Sequence, residues 1–442
     1  MLFNLIIAKI KLKKHVNLIT YLYKLRKSRR NQRQSLSELE KLREEKLKAL
    51  LHHAYYKVDY YRRLFDQSGI RPEDIKNIQD LTKIPITTRK EIQALPQENI
   101  IAKDIVLSHC CNLRTSGSTG MPLNIFVSPK EIISRWLSYR RMYFDNGGKL
   151  TDKELRIVNY QKFKEKQWFQ RLGVLRVRNI SIFEDIEEQL KAILEFKPEI
   201  IRTQVSTLKD LAIKAQKQRI KDINPRIIFS TSELLTKQDR DLVTFVFQAE
   251  VFDYYACNEC GIIAWECKEH FGYHLNSDSI IVEFIKEDGT MAKAGEEGEI
   301  VITSLNSYTM PFIRYRLGDM GIPSDEKCSC GNKFPLMKII TGRINDYIAL
   351  PSGKRVSPYK LMMAMDKIID VKKYQIIQEI GKKIKINIVQ TEAVSDETIS
   401  KIAKGYREIL NEYIDIEVEV VKDILVEKTG KFKVISSNIS YR

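Results

Sequence analysis

Leu113-Arg114-Thr115-Ser116-Gly117-Ser118-Thr119-Gly120-Met121-Pro122-Leu123 is the stretch from which the fold reads. Four hydroxyls, on Thr115, Ser116, Ser118 and Thr119, crowd around Gly117, and Gly120 follows. Glycine leaves no Cβ in the way, so backbone N–H groups and hydroxyls can turn together toward one anion. Polyphosphate is the usual guest of such a loop. No Lys-Ser or Lys-Thr pair follows Gly120, which separates the loop from a Walker A motif. Leu123-Asn124-Ile125-Phe126-Val127 alternates as a strand does, so the loop is expected to join two strands rather than open a helix. A plain Ser/Thr/Gly surface turn has the same composition, and the rest of the chain decides between the two.

Length and composition set the frame. A chain of 442 residues exceeds one ordinary core and predicts two or more domains. A hydrophobic content of 43% with mixed helix and strand signals belongs to a globular α/β protein. No run of 18 apolar residues occurs, and Lys9 interrupts the apolar start Met1–Ala8, so neither a spanning helix nor a secretory signal is expected. Seven cysteines, an odd number, predict a reducing cytoplasm rather than a disulfide framework. Ten of the net +17 charges fall in residues 1–33, where no acid occurs. Leu2, Phe3, Leu5, Ile6, Ile7, Ile10 and Leu12, then Val16, Leu18, Ile19, Leu22 and Leu25, make that segment amphipathic as well as basic. It reads as a solvated surface helix or as a peripheral contact with an anionic membrane at its inner face. No nucleic-acid reading module accompanies the charge, and no nucleic-acid partner is expected.

Helical spacing covers residues 36–66, and Ser128-Pro129-Lys130-Glu131 is a capped start for a helix stopping at Gly147-Gly148. Ile227–Leu234 and Val251–Tyr255 read as strands with a helix from Thr236 between them, and strands are expected near Ile280–Ile285 and Glu299–Leu305. Alternating strands and helices predict an α/β sheet. Beyond Asp346, strands at 374–378, 385–390 and 416–421 and a helix at 395–413 predict a small α+β domain.

Further motifs follow in order: Tyr255-Ala256-Cys257-Asn258-Glu259, Arg314-Tyr315-Arg316-Leu317-Gly318-Asp319, Gly342-Arg343-Ile344-Asn345-Asp346 and Thr429-Gly430-Lys431. With the loop, this series resembles the adenylate-forming superfamily of acyl-CoA synthetases. Its closest likeness is the branch of phenylacetate–CoA ligases and the CapK-like proteins of capsular-polysaccharide gene clusters. Ala54-Tyr55-Tyr56-Lys57-Val58-Asp59-Tyr60-Tyr61-Arg62 and Leu81-Thr82-Lys83-Ile84-Pro85 resemble that branch specifically. The resemblance runs from about Leu39 to Ser440.

It implies a large multi-subdomain adenylation domain over residues 34–345, after the basic segment 1–33, and a small mobile C-terminal domain over 346–442. It also implies AMP-forming activation of a carboxylic acid by ATP, then transfer to a thiol such as coenzyme A, or to an amine. Thr115, Ser116, Gly117, Ser118, Thr119 and Gly120 would receive the β- and γ-phosphates. Glu259 matches the glutamate that holds Mg²⁺, a hard cation suited to carboxylate oxygen. Tyr255 would lie against adenine, although Ala256 and Asn258 replace the motif's usual glycine and threonine. Asp319 matches the aspartate that takes both ribose hydroxyls. Arg343 would approach phosphate and ribose, Asp346 would serve as the hinge, and Lys431 would touch the α-phosphate. Ser232 and Glu233 resemble the segment lining the adenine and acyl pocket.

Cys257, Cys260, Cys267, His274, Cys328 and Cys330 supply sulfur and imidazole in numbers that suit a tetrahedral zinc site, and free thiols are the alternative. Some members of the branch hold structural zinc there. That points to Cys267, His274, Cys328 and Cys330, with Cys260 or His270 as substitutes. Two other functions fit the same motifs. One is an acyl or nucleotidyl transferase of cell-surface polysaccharide assembly, and the other a non-catalytic nucleotide-binding, membrane-associated protein.

Overall fold

Ile200-Ile201-Arg202-Thr203-Gln204 and Ile227-Ile228-Phe229-Ser230-Thr231 begin apolar and end polar, as buried parallel strands do when they run out into a cleft. In the computed structural model both lie inside the parallel part of a mixed sheet. The structure describes residues 18–115, 122–159, 170, 172–343, 346–365, 368, 371–379, 383–390, 395–424 and 433–438. Strands β1 (Cys111–Arg114) and β2 (Asn124–Val127) form a hairpin. The large sheet holds β3 (Lys153–Val158), β4 (Arg176–Ser181), β5 (Ile200–Gln204), β6 (Ile227–Thr231) and β7 (Glu250–Cys257) in parallel. It continues antiparallel through β8 (Gly261–Glu266), β9 (Tyr273–Leu275), β10 (Ile280–Ile285), β11 (Gly298–Ser304), β12 (Tyr315–Ser324) and β13 (Leu336–Arg343). The spatial order is β10-β11-β12-β13-β9-β8-β7-β6-β5-β3-β4.

Both faces of the parallel part are covered. Leu155, Ile201, Ile228 and Val251 pack with residues of helices Ile186–Phe196, Val205–Lys217 and Lys237–Phe247. On the other face Ile200, Phe229 and Phe252 pack against Tyr139, Met142 and Tyr143 of helix Pro129–Asp145. That helix starts with the expected capping box at Ser128 and Glu131, and Glu131 also accepts hydrogen bonds from Thr309. It ends at Asp145, just before the predicted stop. Gly148 is required there, since a Cβ would fall 2.3 Å from the Tyr143 ring.

The helix predicted over 36–66 divides at Val58 (φ −125°) into Leu36–Lys57 and Asp59–Gln67, which lets both bury Tyr55, Tyr61 and Phe65. Helix Leu18–Asn31 lies on helix Pro129–Asp145, with Tyr21 edge-on to Trp136 at 6.3 Å between ring centroids and Leu25 buried. Asn31 then donates to Asp278 at 2.7 Å, and Arg141 grips the same carboxylate at 2.8 and 3.0 Å. Burial alone would raise the Asp278 pKa; Arg141 and Lys46 outweigh it and hold the carboxyl well below the usual range. Among the described residues no helix is long and apolar enough to cross a membrane.

After β14 (Ile348–Ala349), β15 (Arg355–Val356) and helix Pro358–Met365 comes a second sheet. It orders β18 (Asp415–Val420), β17 (Lys383–Gln390), β16 (Val371–Glu379) and β19 (Ile435–Ser437), with helix Asp396–Leu410 packed on it through Ile402, Tyr406 and Leu410.

Candidate active site

The carboxyl ends of the parallel strands open into a cleft of about 1550 Å³, where such sheets commonly bind ligands. One wall begins at the β1–β2 hairpin. Leu123 donates to the Thr115 hydroxyl at 2.9 Å, Thr115 donates to the Leu123 carbonyl at 3.0 Å, and the Arg89 guanidinium also bonds the Thr115 hydroxyl. The loop thus springs from between two strands, as its sequence predicted. Ser116, Gly117, Ser118, Thr119 and Gly120 lie outside the described residues, as does Lys431.

The tight β7–β8 turn carries Glu259. Arg135, from helix Pro129–Asp145, donates to the carbonyls of Asn258 and Glu259, both at 2.8 Å. Asn258 reaches back to the Arg114 carbonyl at 3.2 Å, which ties the turn to the hairpin. Burial raises the Glu259 carboxyl above its ordinary range, opposed by hydrogen bonds from its own backbone and Cys257 and by the charge of Arg89. A carboxyl so placed is stabilised as the anion by an arriving cation.

Tyr255, on β7, donates its hydroxyl to Asp319 at 2.5 Å. Desolvation, then the Asp319 charge, pushes the Tyr255 pKa well up, so the phenol keeps its proton and remains the donor. Asp319 on β12 faces Arg343 on β13 across the ladder, with the guanidinium Nε 3.4 Å from its other oxygen. Asp346 follows, 3.0 Å from the Lys433 ammonium. Burial raises the Asp346 carboxyl, and Lys433 opposes the shift. Ser232 and Glu233 line the cleft, Glu233 accepting from the Ser206 backbone at 2.7 Å. Glu259, Tyr255, Asp319, Arg343, Asp346 and Thr115 therefore share one cavity, together with Lys373 and Lys433 of the C-terminal part.

A second cluster sits outside this cleft. Cys267, His274, Cys328 and Cys330 bring their ligand atoms within 4.8 Å of one another. Cys267 and Cys328 sulfurs are 3.5 Å apart, and Cys330 Sγ is 3.3 Å from His274 Nε2. The Phe334 carbonyl can only accept, so the 3.3 Å contact to His274 Nδ1 puts the proton on that nitrogen and aims the Nε2 lone pair at the sulfurs. Cys260 and His270, the two substitutes, do not join. Cys260 pairs with Cys257 at 3.2 Å, and His270 lies against Arg240 and Glu266, its Nδ1 3.3 and 3.5 Å from them.

Sequence reasoning missed Arg89, Arg135 and Arg202. The first two carry no motif. Arg202 had a signal: a charge inside a buried parallel strand needs a reason.

A family model of the CapK C-terminal domain matches residues 348–438. Curated proteins match most of the chain. Phenylacetate-coenzyme A ligase of Thermus thermophilus is 26% identical, covering 86% of this chain and 85% of its own. The Escherichia coli enzyme of that name is 28% identical, covering 74% and 76%. Protein CapK of Staphylococcus aureus is 22% identical, covering 86% and 85%. The chain is similar to the phenylacetate-coenzyme A ligases and to CapK over most of its length. Among solved structures, 2-hydroxyisobutyryl-CoA ligase in the postadenylation state with 2-HIB-AMP superposes with a TM-score of 0.79 at 16% identity, covering 92% of this chain and 91% of its own. The fold is shared with 2-hydroxyisobutyryl-CoA ligase.

Proposed function

We propose that this enzyme activates a carboxylic acid with ATP, releasing pyrophosphate, and passes the acyl group from the resulting adenylate to the thiol of coenzyme A. The carrying observation is the line Thr115, Glu259, Tyr255, Asp319, Arg343 along one cleft, roomy enough for a nucleotide and an acid together. In the first step a carboxylate oxygen attacks the α-phosphorus and the bond to pyrophosphate breaks. Asp319, held by Tyr255 and Arg343, accepts the ribose hydroxyls. Hydroxyls of residues 115–120 receive the β- and γ-phosphates. Lys431 approaches the α-phosphate. Glu259 would hold Mg²⁺, which when bound neutralises charge on the leaving pyrophosphate. In the second step the thiol sulfur attacks the acyl carbonyl, the thiol proton is lost and AMP leaves.

Residues 346–442 act as the mobile unit, turning about Asp346, and residues 34–345 as the stationary one. Lys433, two positions beyond Lys431, lines the cleft, which supports an adenylation-side arrangement. So does the lower TM-score, 0.64, against 2-hydroxyisobutyryl-CoA ligase in its thioesterification state. A pyrophosphate-release screen over aryl, fatty and sugar-derived acids, with and without coenzyme A, tests the function. Release that depends on an acid supports it, and release with no acid in the screen contradicts it.

Cys267, His274, Cys328 and Cys330 hold one structural zinc. Three sulfurs and an oriented imidazole match its donor preference, and contacts of 3.3 and 3.5 Å suit ligand atoms around one ion. The basic helix Leu18–Asn31 supports peripheral docking to an anionic lipid surface. Tyr23 is 67% exposed and Leu22 43% exposed beside outward Lys24, Arg26 and Lys27. Cosedimentation of full-length protein with anionic vesicles, lost without residues 2–33 and weakened by salt, is the expected result. Equal recovery of both forms in the supernatant contradicts the docking.

A further inference from the structure

Beneath the cleft, three guanidinium groups gather around one buried carboxylate. Arg156 on β3 and Arg202 on β5 are direct partners across the parallel ladder, and Phe229 and Phe252 continue the same row. Glu154 lies two residues before Arg156 on the same face. Its oxygens are taken: Arg156 donates to it at 2.5 and 2.7 Å, and the Tyr139 hydroxyl at 2.5 Å. Arg140 stands 3.6 Å away, an ion pair without a close hydrogen bond. Burial opposes ionisation of Glu154, yet Arg156, then Arg140 and Arg202, hold its pKa at about 2. One carboxylate thus serves three guanidinium groups.

Arg202 is the least provided for. It is only 7% exposed, its Cζ lies 4.8 Å over the Tyr139 ring, and its buried Nε donates no hydrogen bond. Arg202 and Tyr139 both line the cleft. A buried guanidinium left short of partners is unfavourable until an acceptor reaches it. Two carboxylates at the neighbouring strands are engaged: Glu233 by Ser206, and Asp253 by Ser230 at 2.6 Å and Tyr273 at 2.8 Å. Sheet order sets Arg202 apart from the nucleotide groups. Asp319 and Arg343 stand on β12 and β13, to one side of the Tyr255 strand, and Arg202 on β5 to the other.

We propose that the acid this enzyme activates carries a second oxyanion, a carboxylate or a phosphate, which docks on Arg202 at the cleft floor while the reacting carboxylate lies toward Glu259. The inference rests on the adenylation reading and names its substrate class. An oxyanion there accepts from the part of the Arg202 guanidinium that lines the cleft and balances its charge, whereas an apolar tail of equal length leaves it uncompensated.

The test uses acids matched in length, aliphatic and aryl, ending in methyl, carboxylate or phosphate. Acid-dependent ATP–pyrophosphate exchange is measured with the full chain, Arg202→Lys and Arg202→Met. The parent enzyme is expected to prefer an anion-ended acid over its methyl-ended partner at least tenfold in kcat/KM, and the better of the two anions identifies the group. Arg202→Met is expected to lower that ratio by ~10²-fold, the range for a charge-assisted hydrogen bond, with Arg202→Lys between them. A ratio favouring methyl-ended acids in the parent, or one unmoved in Arg202→Met, overturns the inference while leaving adenylation standing. Exchange with none of the three series overturns both. If Arg202→Met fails to fold, the parent ratio and Arg202→Lys decide.

Discussion

At the scale of single residues, the Tyr255–Asp319–Arg343 contact is where sequence and chemistry meet most closely. These residues are distant in the chain, yet β7, β12 and β13 bring a phenol, a carboxylate and a guanidinium into one line. Asp319→Asn keeps the size but halves the acceptor oxygens. It is expected to lower kcat/KM for ATP in pyrophosphate exchange by ~10²-fold, and to weaken use of a supplied acyl-adenylate as well, since both carry the same ribose. A loss confined to one half-reaction would contradict a ribose contact. Glu154 offers a stability prediction of definite sign. Its folded pKa of about 2 lies below the unfolded value near 4.5, so the stability it contributes is present above about pH 4.5 and fades as pH falls toward 2. Glu154→Gln should cost about 3 kcal/mol at pH 7, because three arginines lose their shared carboxylate. Urea midpoints of parent and variant should converge as the pH drops from 5 to 3. Curves that stay parallel would contradict the pairing.

At the scale of elements, legibility followed the physics of each segment. Ser128-Pro129-Glu131 and Thr236 predicted their helix starts because caps are local chemistry, and both caps are present. The break at Val58 was not legible: helical spacing continues across it, and only the need to bury Tyr55 and Phe65 together bends the chain. Strand order was equally hidden, since β9 slots between β8 and β13 through pairings that no short window records. The positions of Glu259, Asp319 and Asp346 in one cleft were anticipated from motif order. Arg135 and Arg202 needed the fold, because their roles depend on what faces them. The cysteine–histidine cluster joins the end of β8, strand β9 and the β12–β13 connection, so a bound zinc would pin three segments at once. Freshly purified protein is expected to hold about one zinc per chain. Chelation or Cys328→Ser should lower the melting temperature, with little change in the KM for ATP. Metal analysis without zinc would contradict the site.

At the scale of the whole molecule, adenylation and thioester formation use different contacts. The C-terminal part reaches the cleft through Lys433 and Lys373; Lys373 lies 3.7 Å from Asp210 of the large part, and Leu234 of the large part packs on the C-terminal core, so the two parts meet through a few separate polar and apolar contacts. Such contacts are weak individually and easily exchanged for others, which suits a part that turns. Lys431→Ala is expected to lower acid-dependent pyrophosphate exchange by ~10²-fold or more, because a mobile cation is needed only while pyrophosphate departs. Transfer from a supplied acyl-adenylate should persist, and equal losses in both would contradict that role. The central claim, activation of an acid by adenylation, is tested most directly by ATP–pyrophosphate exchange in the parent enzyme without coenzyme A. Exchange is expected only when an acid is added, followed on addition of coenzyme A by AMP and an acyl thioester in equal amounts. Exchange that ignores the acid, or none across aryl, fatty, sugar-derived and dicarboxylic acids, would contradict it.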